Sequence, residues 1–212
     1  MPLAFIATSA MVLCDMKKIS GNLKSNLAAL LLSVGFSIPL AVPVSAQSAS
    51  PPGDPGKIAS ILERLKESTP QSYAVIEREL ELEWSKSGSA SMNLLLQRGK
   101  DALERGEFQK AFFHFSALID HAPEFAEGYA GRATALFRMD RVGQALADIE
   151  EALRRNPNHY PSMIGFGIIM AELGNPHAAV AALKRAASIH PHREDVTKAL
   201  DRLVKEVEGT AI

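Results

Sequence analysis

The chain carries six histidines and one cysteine, residue types that serve in acid–base, nucleophilic and metal chemistry. The histidines do not form the His-Glu-x-x-His zinc pattern, and the sequence has neither a Gly-x-Ser-x-Gly motif nor a glycine-rich phosphate loop. His190 and His192 flank a proline, but two imidazoles without a third ligand do not make a zinc site. The sequence therefore predicts no catalytic, cofactor-binding or metal-binding residues, and a protein that is not an enzyme.

Composition argues against nucleic acid as a partner. The formal net charge is −1, so no positive field covers the molecule. The basic pairs Arg154-Arg155 and Lys184-Arg185 fall near the ends of predicted helices, where cations complement the helix dipole. A single cysteine also excludes a disulfide framework within the chain. We therefore expect a protein or peptide partner.

Residues 1–46 have the layout of a secretory signal peptide. Lysines precede the apolar run Leu27–Phe36, and small residues end at Ala46. Met16 is the better start, because Met-Lys-Lys is a usual bacterial opening. The alternative is a membrane anchor, but prolines and serines interrupt the stretch, and a spanning helix needs about 20 apolar residues.

Cleavage after Ala46 is therefore the expectation, with Gln47 as the first mature residue. The mature chain then has no membrane span and lies in the periplasm or outside a Gram-negative cell. Residues 47–56 are rich in proline, glycine and serine and are predicted to be a flexible linker.

Residues 92–193 repeat with a period of 34 residues. Residues of the same kind recur at four positions of each copy. Two positions are small (Gly99, Ala133 and Gly167; Ala111, Ala145 and Ala179), one is large and apolar (Phe115, Ile149 and Leu183), and one is proline (Pro123, Pro157 and Pro191). The spacing predicts two helices in each copy. Gly106, Asp140 and Gly174 are predicted to end the first helix of each copy in the left-handed conformation.

A bulky residue followed by a small one, then Ala-x3-Phe and a closing proline, resembles the tetratricopeptide repeat (TPR) family. Glu83-Trp84-Ser85 and the tail 206–209 are similar to those of small exported TPR proteins of proteobacteria. The resemblance implies an all-α TPR solenoid of three helix-turn-helix repeats between helical caps. The expected boundaries are an N-terminal cap or decayed repeat at 57–91, repeats at 92–125, 126–159 and 160–193, and a capping helix at 194–208.

Two arginines, Arg98 and Arg132, face inward according to the repeat period. A buried guanidinium needs a partner. Arg132 is expected to form a structural ion pair with Asp148, and Arg98 to meet His114, which stands at the same position of the first repeat. The third repeat has Phe166 and Ala182 at these two positions, and this joint replacement supports pairing.

The first helices of such an array line its concave side. The positions that the packing registers leave free predict a partner-binding groove that changes from polar to apolar toward the third repeat. Its predicted lining is Leu96, Lys100, Leu103, Ala130, Thr134, Phe137, Ile164 and Ile168. TPR domains that hold a C-terminal carboxylate resemble one another in a Lys/Asn/Arg clamp on this face. Here Lys100 alone fits that clamp, because the other positions hold Gly131, Pro161 and Gly165.

The apolar end of the groove needs a cover, and the sequence leaves three alternatives for it. The chain's own N-terminal helices, a segment of another protein, or a second copy in a homodimer would each serve. The sequence favours an exported, non-enzymatic adaptor of a bacterial cell-envelope complex that binds a protein segment in this groove. The alternative is a self-associating structural scaffold whose groove is covered by its own N-terminal helices.

Overall fold

The computed structural model describes residues 53–209, and within this range the chain forms nine α-helices. The predicted signal peptide with Met16, and 47–52 of the linker, lie outside the described residues. Three helix pairs follow one another: α3 (Ala90–Glu104) with α4 (Phe108–His121), α5 (Ala126–Arg138) with α6 (Val142–Arg155), and α7 (Tyr160–Glu172) with α8 (Pro176–Ile189). We call these pairs repeats 1, 2 and 3. The predicted all-α solenoid of three helix pairs is confirmed.

The small and large apolar residues that recur every 34 positions form the core of the array. The alanines that recur every 34 residues in the second helices, Ala111, Ala145 and Ala179, are fully buried. Phe115 of α4 fills the space beside α3 and α5, because a Cβ on Gly99 would lie 2.6 Å from its ring and one on Gly131 would overlap the same ring. Glycine at these two positions therefore lets neighbouring helices approach closely around one aromatic side chain.

The predicted stops of the first helices are present in every repeat. Gly106 and Gly174 have φ 73° and Asp140 has φ 60°, so each takes the left-handed conformation. The following N–H bonds back across the turn, as when Glu107 N donates to the Ala102 carbonyl at 2.8 Å. This pattern satisfies carbonyls that the helix end leaves free, and it turns the chain into the second helix within a few residues.

The ion pair lies in repeat 2. Arg132 Nε donates to Asp148 Oδ2 at 2.7 Å and Arg132 Nη2 donates to Oδ1 at 2.8 Å, a bidentate arrangement between α5 and α6. The Asp148 side chain is 9% exposed, and that of Arg132 is 23% exposed. Arg98 behaves differently, and the expectation that it faces inward toward His114 is wrong. The residue is exposed, and its guanidinium bonds to no other side chain in 53–209. A histidine supplies no fixed negative charge to offset burial of a guanidinium.

The N-terminal hairpin consists of α1 (Pro55–Lys66) and α2 (Tyr73–Trp84). Rather than stacking in front of repeat 1, it packs against repeat 3, where α1 contacts α8. The shared core holds Ile61, Leu62, Leu65, Leu80 and Trp84 from the hairpin, with Tyr160, Met163, Ala186 and Ile189 from repeat 3. The hairpin, which precedes repeat 1 in the chain, thereby contacts repeat 3, the last repeat. At the other side of repeat 3, α9 (Glu194–Gly209) packs on α8 through Val196 and Leu203.

The predicted flexible linker ends early, since Asp54 caps α1 by accepting from Gly56 N at 2.8 Å. A separate turn joins the two helices of the hairpin, because the Thr69 carbonyl accepts from the N–H groups of Ser72 and Tyr73. The second helix therefore begins at Tyr73.

Asp148→Ala removes one partner of a largely buried pair and leaves the Arg132 guanidinium without a counter-charge. We expect the free energy of unfolding to fall by about 3 kcal/mol. The double variant Arg132→Phe with Asp148→Ala installs the residue types of repeat 3 and should lose much less. Urea unfolding of both variants measures the difference, and an Asp148→Ala protein as stable as the unaltered chain would contradict the structural role.

Candidate partner-binding groove

A cavity of about 570 Å³ lies between α2 and the first helices of the three repeats. We call this cavity the groove. Its wall is mostly apolar and comes from every repeat: Leu103, Phe115, Phe137, Ile149, Ile164, Ile168 and Ile169. Five titratable side chains also line it, namely Glu81, Lys100, Glu127, His159 and Arg193. The polar groups of α5 and α7 stand at the starts of these helices, and the apolar ones lie mainly along the later turns.

Seven of the eight predicted groove residues line the cavity, namely Lys100, Leu103, Ala130, Thr134, Phe137, Ile164 and Ile168. Leu96 does not, and its assignment to the groove is wrong. Its side chain is 2% exposed and packs in the core around Phe115 and Leu118. Leucine at this position is long enough to reach that core, whereas the next repeat has only Ala130 here, and burial of its apolar surface is favourable.

The three apolar residues at the repeat 3 end differ in how free they are. Ile164 packs against the hairpin core and against the α8–α9 core, and Phe137 packs against the core of repeat 2. The packing registers leave both positions free, but both side chains pack against cores of the folded protein. Ile168 belongs to none of these cores and is 45% exposed. The hairpin thus covers part of the apolar surface and leaves Ile168 open.

Trp84 forms the corner where the hairpin meets the groove. Its ring centroid lies 5.0 Å from that of His159 and 5.7 Å from that of Tyr160, so the indole packs over the start of α7. The side chain is 7% exposed, and its indole N–H finds no acceptor among residues 53–209. Trp84 is also the one tryptophan of the chain, and its fluorescence therefore reports on this corner.

The pair of Glu127 and His159 fixes the polar side of the groove. His159 caps α7 by accepting from Ser162 N at its Nδ1, and its Nε2 lies 3.0 Å from Glu127 Oε1. Burial opposes ionisation of Glu127, but the His159 ring and the Lys100 ammonium hold its pKa below the ordinary value. Lys100 Nζ donates to Ser85 Oγ at 3.1 Å and lies 3.9 Å from Glu127 Oε2. These groups satisfy one another.

Glu77 is the polar centre of the joint between the hairpin and repeat 3. Its Oε1 accepts from Tyr160 OH at 3.0 Å and from Arg193 Nη1 at 3.1 Å. His190 Nε2 lies 3.4 Å from the same oxygen without forming a hydrogen bond. His192 adds a contact from its Nε2 to the Ser68 carbonyl at 2.5 Å. Sequence reasoning missed this cluster, because Glu77 is more than 80 residues from its partners and the contacts follow no repeat register.

His190 is the most completely buried histidine of residues 53–209, at 1% exposure. The rings of Tyr73 and Tyr160 meet it edge-on at centroid distances of 5.3 and 5.2 Å. Burial lowers the pKa of His190, the Glu77 carboxylate opposes this effect, and the nearby charges of Arg193 and His192 reinforce it. The ring is therefore held neutral in the folded protein.

Within residues 53–209, no helix is both long and apolar enough to cross a lipid bilayer. The same range holds no group of three or more His, Cys, Asp or Glu side chains placed to bind a metal ion. The groove itself offers mostly apolar surface and a few charged side chains.

No family model matches the chain. A TPR repeat-containing protein of Rhizobium etli is 30% identical over 162 residues, which cover 76% of this chain and 78% of that protein. The TPR domain of Arabidopsis OM64 superposes with a TM-score of 0.52 at 22% identity, over 54% of this chain and 95% of that domain. The first TPR domain of Spaghetti (RPAP3), bound to the HSP90 peptide SRMEEVD, has a TM-score of 0.53 at 19% identity, over 55% and 93% of the two chains.

The neutral state of His190 predicts a pH dependence. Below its ordinary pKa of 6.5, the unfolded chain takes up a proton that the folded chain does not, so stability falls as the pH is lowered through that value. His190→Phe should remove part of this slope, at most about 1.4 kcal/mol per pH unit for one proton. Urea unfolding between pH 7.5 and 5.5, followed by Trp84 fluorescence, measures it.

His177→Gln is the matched control, because His177 lies exposed on the same helix. Its slope should equal that of the unaltered protein. Equal slopes in the His190→Phe and His177→Gln proteins would contradict the assignment of the buried ring as the source of the pH dependence.

Proposed function

The chain belongs to the TPR family, and we propose that it is an exported, non-enzymatic adaptor that binds a segment of another protein in the groove. The setting that we propose is a complex of the Gram-negative cell envelope. The observation that carries this proposal is Ile168, a large apolar side chain 45% exposed within a lined cavity. Apolar surface kept open in a concave site is typical of a binding surface.

The solved neighbours support the class of partner. The RPAP3 domain holds a short peptide, according to its description, and this chain shares its fold over 93% of that domain. The identity of 19% is too low to carry over the peptide itself. What supports binding here is the groove of this chain, which is open along α3, α5 and α7 and walled by α2.

Catalysis is not part of the proposal. The titratable side chains that line the groove are mostly engaged with each other: Glu127 with His159, and Lys100 with Ser85. His159 also serves as the N-cap of α7. A general base or nucleophile needs a reactive atom free to meet substrate, and these groups are held in structural bonds.

Export is proposed from residues 16–46, whose basic start, apolar middle and small residues before Gln47 suit signal cleavage. N-terminal sequencing of protein recovered from the periplasm of a Gram-negative expression host is the test. We expect Gln47 as the first residue. A chain that keeps Met1 or Met16 and stays with the membrane fraction would contradict signal cleavage and indicate a membrane anchor.

Ile168→Glu places a carboxylate on the open apolar surface of the groove. Because Ile168 is largely outside the cores, melting should hardly change, whereas binding of a groove partner should weaken by at least about 2 kcal/mol, the scale of a hot spot. Partners recovered from the periplasm, titrated against Trp84 fluorescence, provide the affinity measurement.

Leu173→Glu is the matched control, since Leu173 is 59% exposed at the end of the same helix and does not line the groove. It should keep both melting and affinity. A drop in melting with Ile168→Glu would show that the chain itself covers the site, and unchanged melting and affinity would remove the main support for the adaptor.

A self-associating scaffold is the second candidate, and one observation favours it. Val75 and Leu82 are 73% and 62% exposed, and they lie two turns apart on the outer face of α2. An apolar stripe on the hairpin suits contact with a second copy. A mass in solution that rises with protein concentration would favour the scaffold, and a constant monomer mass would favour the adaptor.

A further inference from the structure

The charges around the groove are unequally satisfied, and the imbalance points to the chemistry of its partner. Lys100 and Arg193 are the cations of the lining, and both are engaged within the protein. Arg193 donates to Glu77 Oε1 at 3.1 Å and to Asp195 Oδ2 at 2.7 Å. Each cation is therefore already held by oxygen atoms of its own chain.

Glu81 is the exception among the charged lining groups. It stands on α2, one turn before Trp84. Its backbone carbonyl accepts from Ser85, but its carboxylate makes no hydrogen bond or ion pair within residues 53–209. Burial raises the pKa of Glu81, and the carboxylates of Glu77 and Glu127 raise it further against the pull of Lys100 and Arg193. The side chain is thus a carboxylate that lacks a counter-ion at the mouth of the groove.

The lining groups and their direct partners have a negative balance. Four carboxylates, those of Glu77, Glu81, Glu127 and Asp195, stand with two cations, those of Lys100 and Arg193. An acidic segment would bring like charge to this place, whereas a basic side chain would meet an unpaired carboxylate. Gly131, Pro161 and Gly165 line the groove as well and contribute no charge.

We propose that the groove binds an apolar protein segment that carries a basic side chain, with Glu81 pairing the lysine or arginine and Ile168 contacting the apolar residues. This inference rests on the proposed function, because it names the chemistry of the segment that the adaptor receives. It assigns to this chain a charge preference opposite to the acidic HSP90 peptide SRMEEVD held by the RPAP3 domain.

The test uses a displayed library of random twelve-residue peptides, selected on the purified protein. The recovered peptides should combine aliphatic residues with lysine or arginine and be depleted in aspartate and glutamate relative to the input library. The tightest peptide is then synthesised with its basic residue kept, changed to glutamine, or changed to glutamate, and each form is titrated against Trp84 fluorescence.

Loss of the basic residue to glutamine should weaken binding to the unaltered protein about threefold or more, the range of a partly exposed ion pair. The change to glutamate should weaken it about tenfold, because repulsion replaces attraction. With Glu81→Gln, the three peptides should bind within about twofold of one another. Glu150→Gln is the control, since Glu150 is exposed on α6 and lies outside the groove, and it should keep the full discrimination.

The outcomes separate the inference from the function on which it rests. Peptides that bind in an Ile168-dependent way but show no basic preference, or keep the same preference with Glu81→Gln, overturn the charge assignment and leave the adaptor standing. A library that yields no peptide whose binding falls with Ile168→Glu overturns both. Unchanged melting of the Glu81→Gln protein shows that a lost preference is not a loss of fold.

Discussion

The groove depends on one packing interaction, the seating of the N-terminal hairpin on repeat 3. Three repeats alone would leave a concave face open along one side, whereas α2 closes that side and brings Glu81 and Trp84 to it. Ile61, Leu65 and Leu80 of the hairpin are completely buried in this joint. Each such side chain contributes roughly 1.5–3 kcal/mol by its removal from water, so the hairpin is held chiefly by apolar burial.

The polar groups of the joint determine where the hairpin sits rather than how strongly it is held. Glu77 accepts from Tyr160 and Arg193, and Glu83 ties the two ends of the hairpin through Lys57 and Lys86. Lys86, the Asp54 backbone N–H and Lys57 hold the pKa of Glu83 at about 2, so this carboxylate stays ionised down to acid pH. These charged groups bond to one another and position the hairpin. The exposed carboxylate of Glu81 and the open side chain of Ile168 therefore remain free to contact a ligand.

The repeat array could be predicted from the sequence because each of its constraints is local and occurs three times. Buried alanines, left-handed turns at Gly106 and Asp140, and the spacing of Arg132 and Asp148 all follow from a 34-residue period and short-range helix geometry. The hairpin joint occurs once and joins residues far apart in the chain, such as Glu77 and Tyr160, so no periodicity reveals it. The assignment of Leu96 to the groove was wrong for a related reason. The repeat register predicts which face of the helix a residue occupies, but not how deep a longer side chain reaches.

Hydrogen exchange of the folded protein tests most directly whether the hairpin is a fixed wall of the groove. The account predicts that amides in the middle of α2 are protected to an extent comparable with those of α7, because both helices belong to one buried core. Exchange of α2 amides at the rate of an unfolded peptide, while α3 to α8 stay protected, would contradict it, since the groove would then lack the wall that carries Glu81 and Trp84.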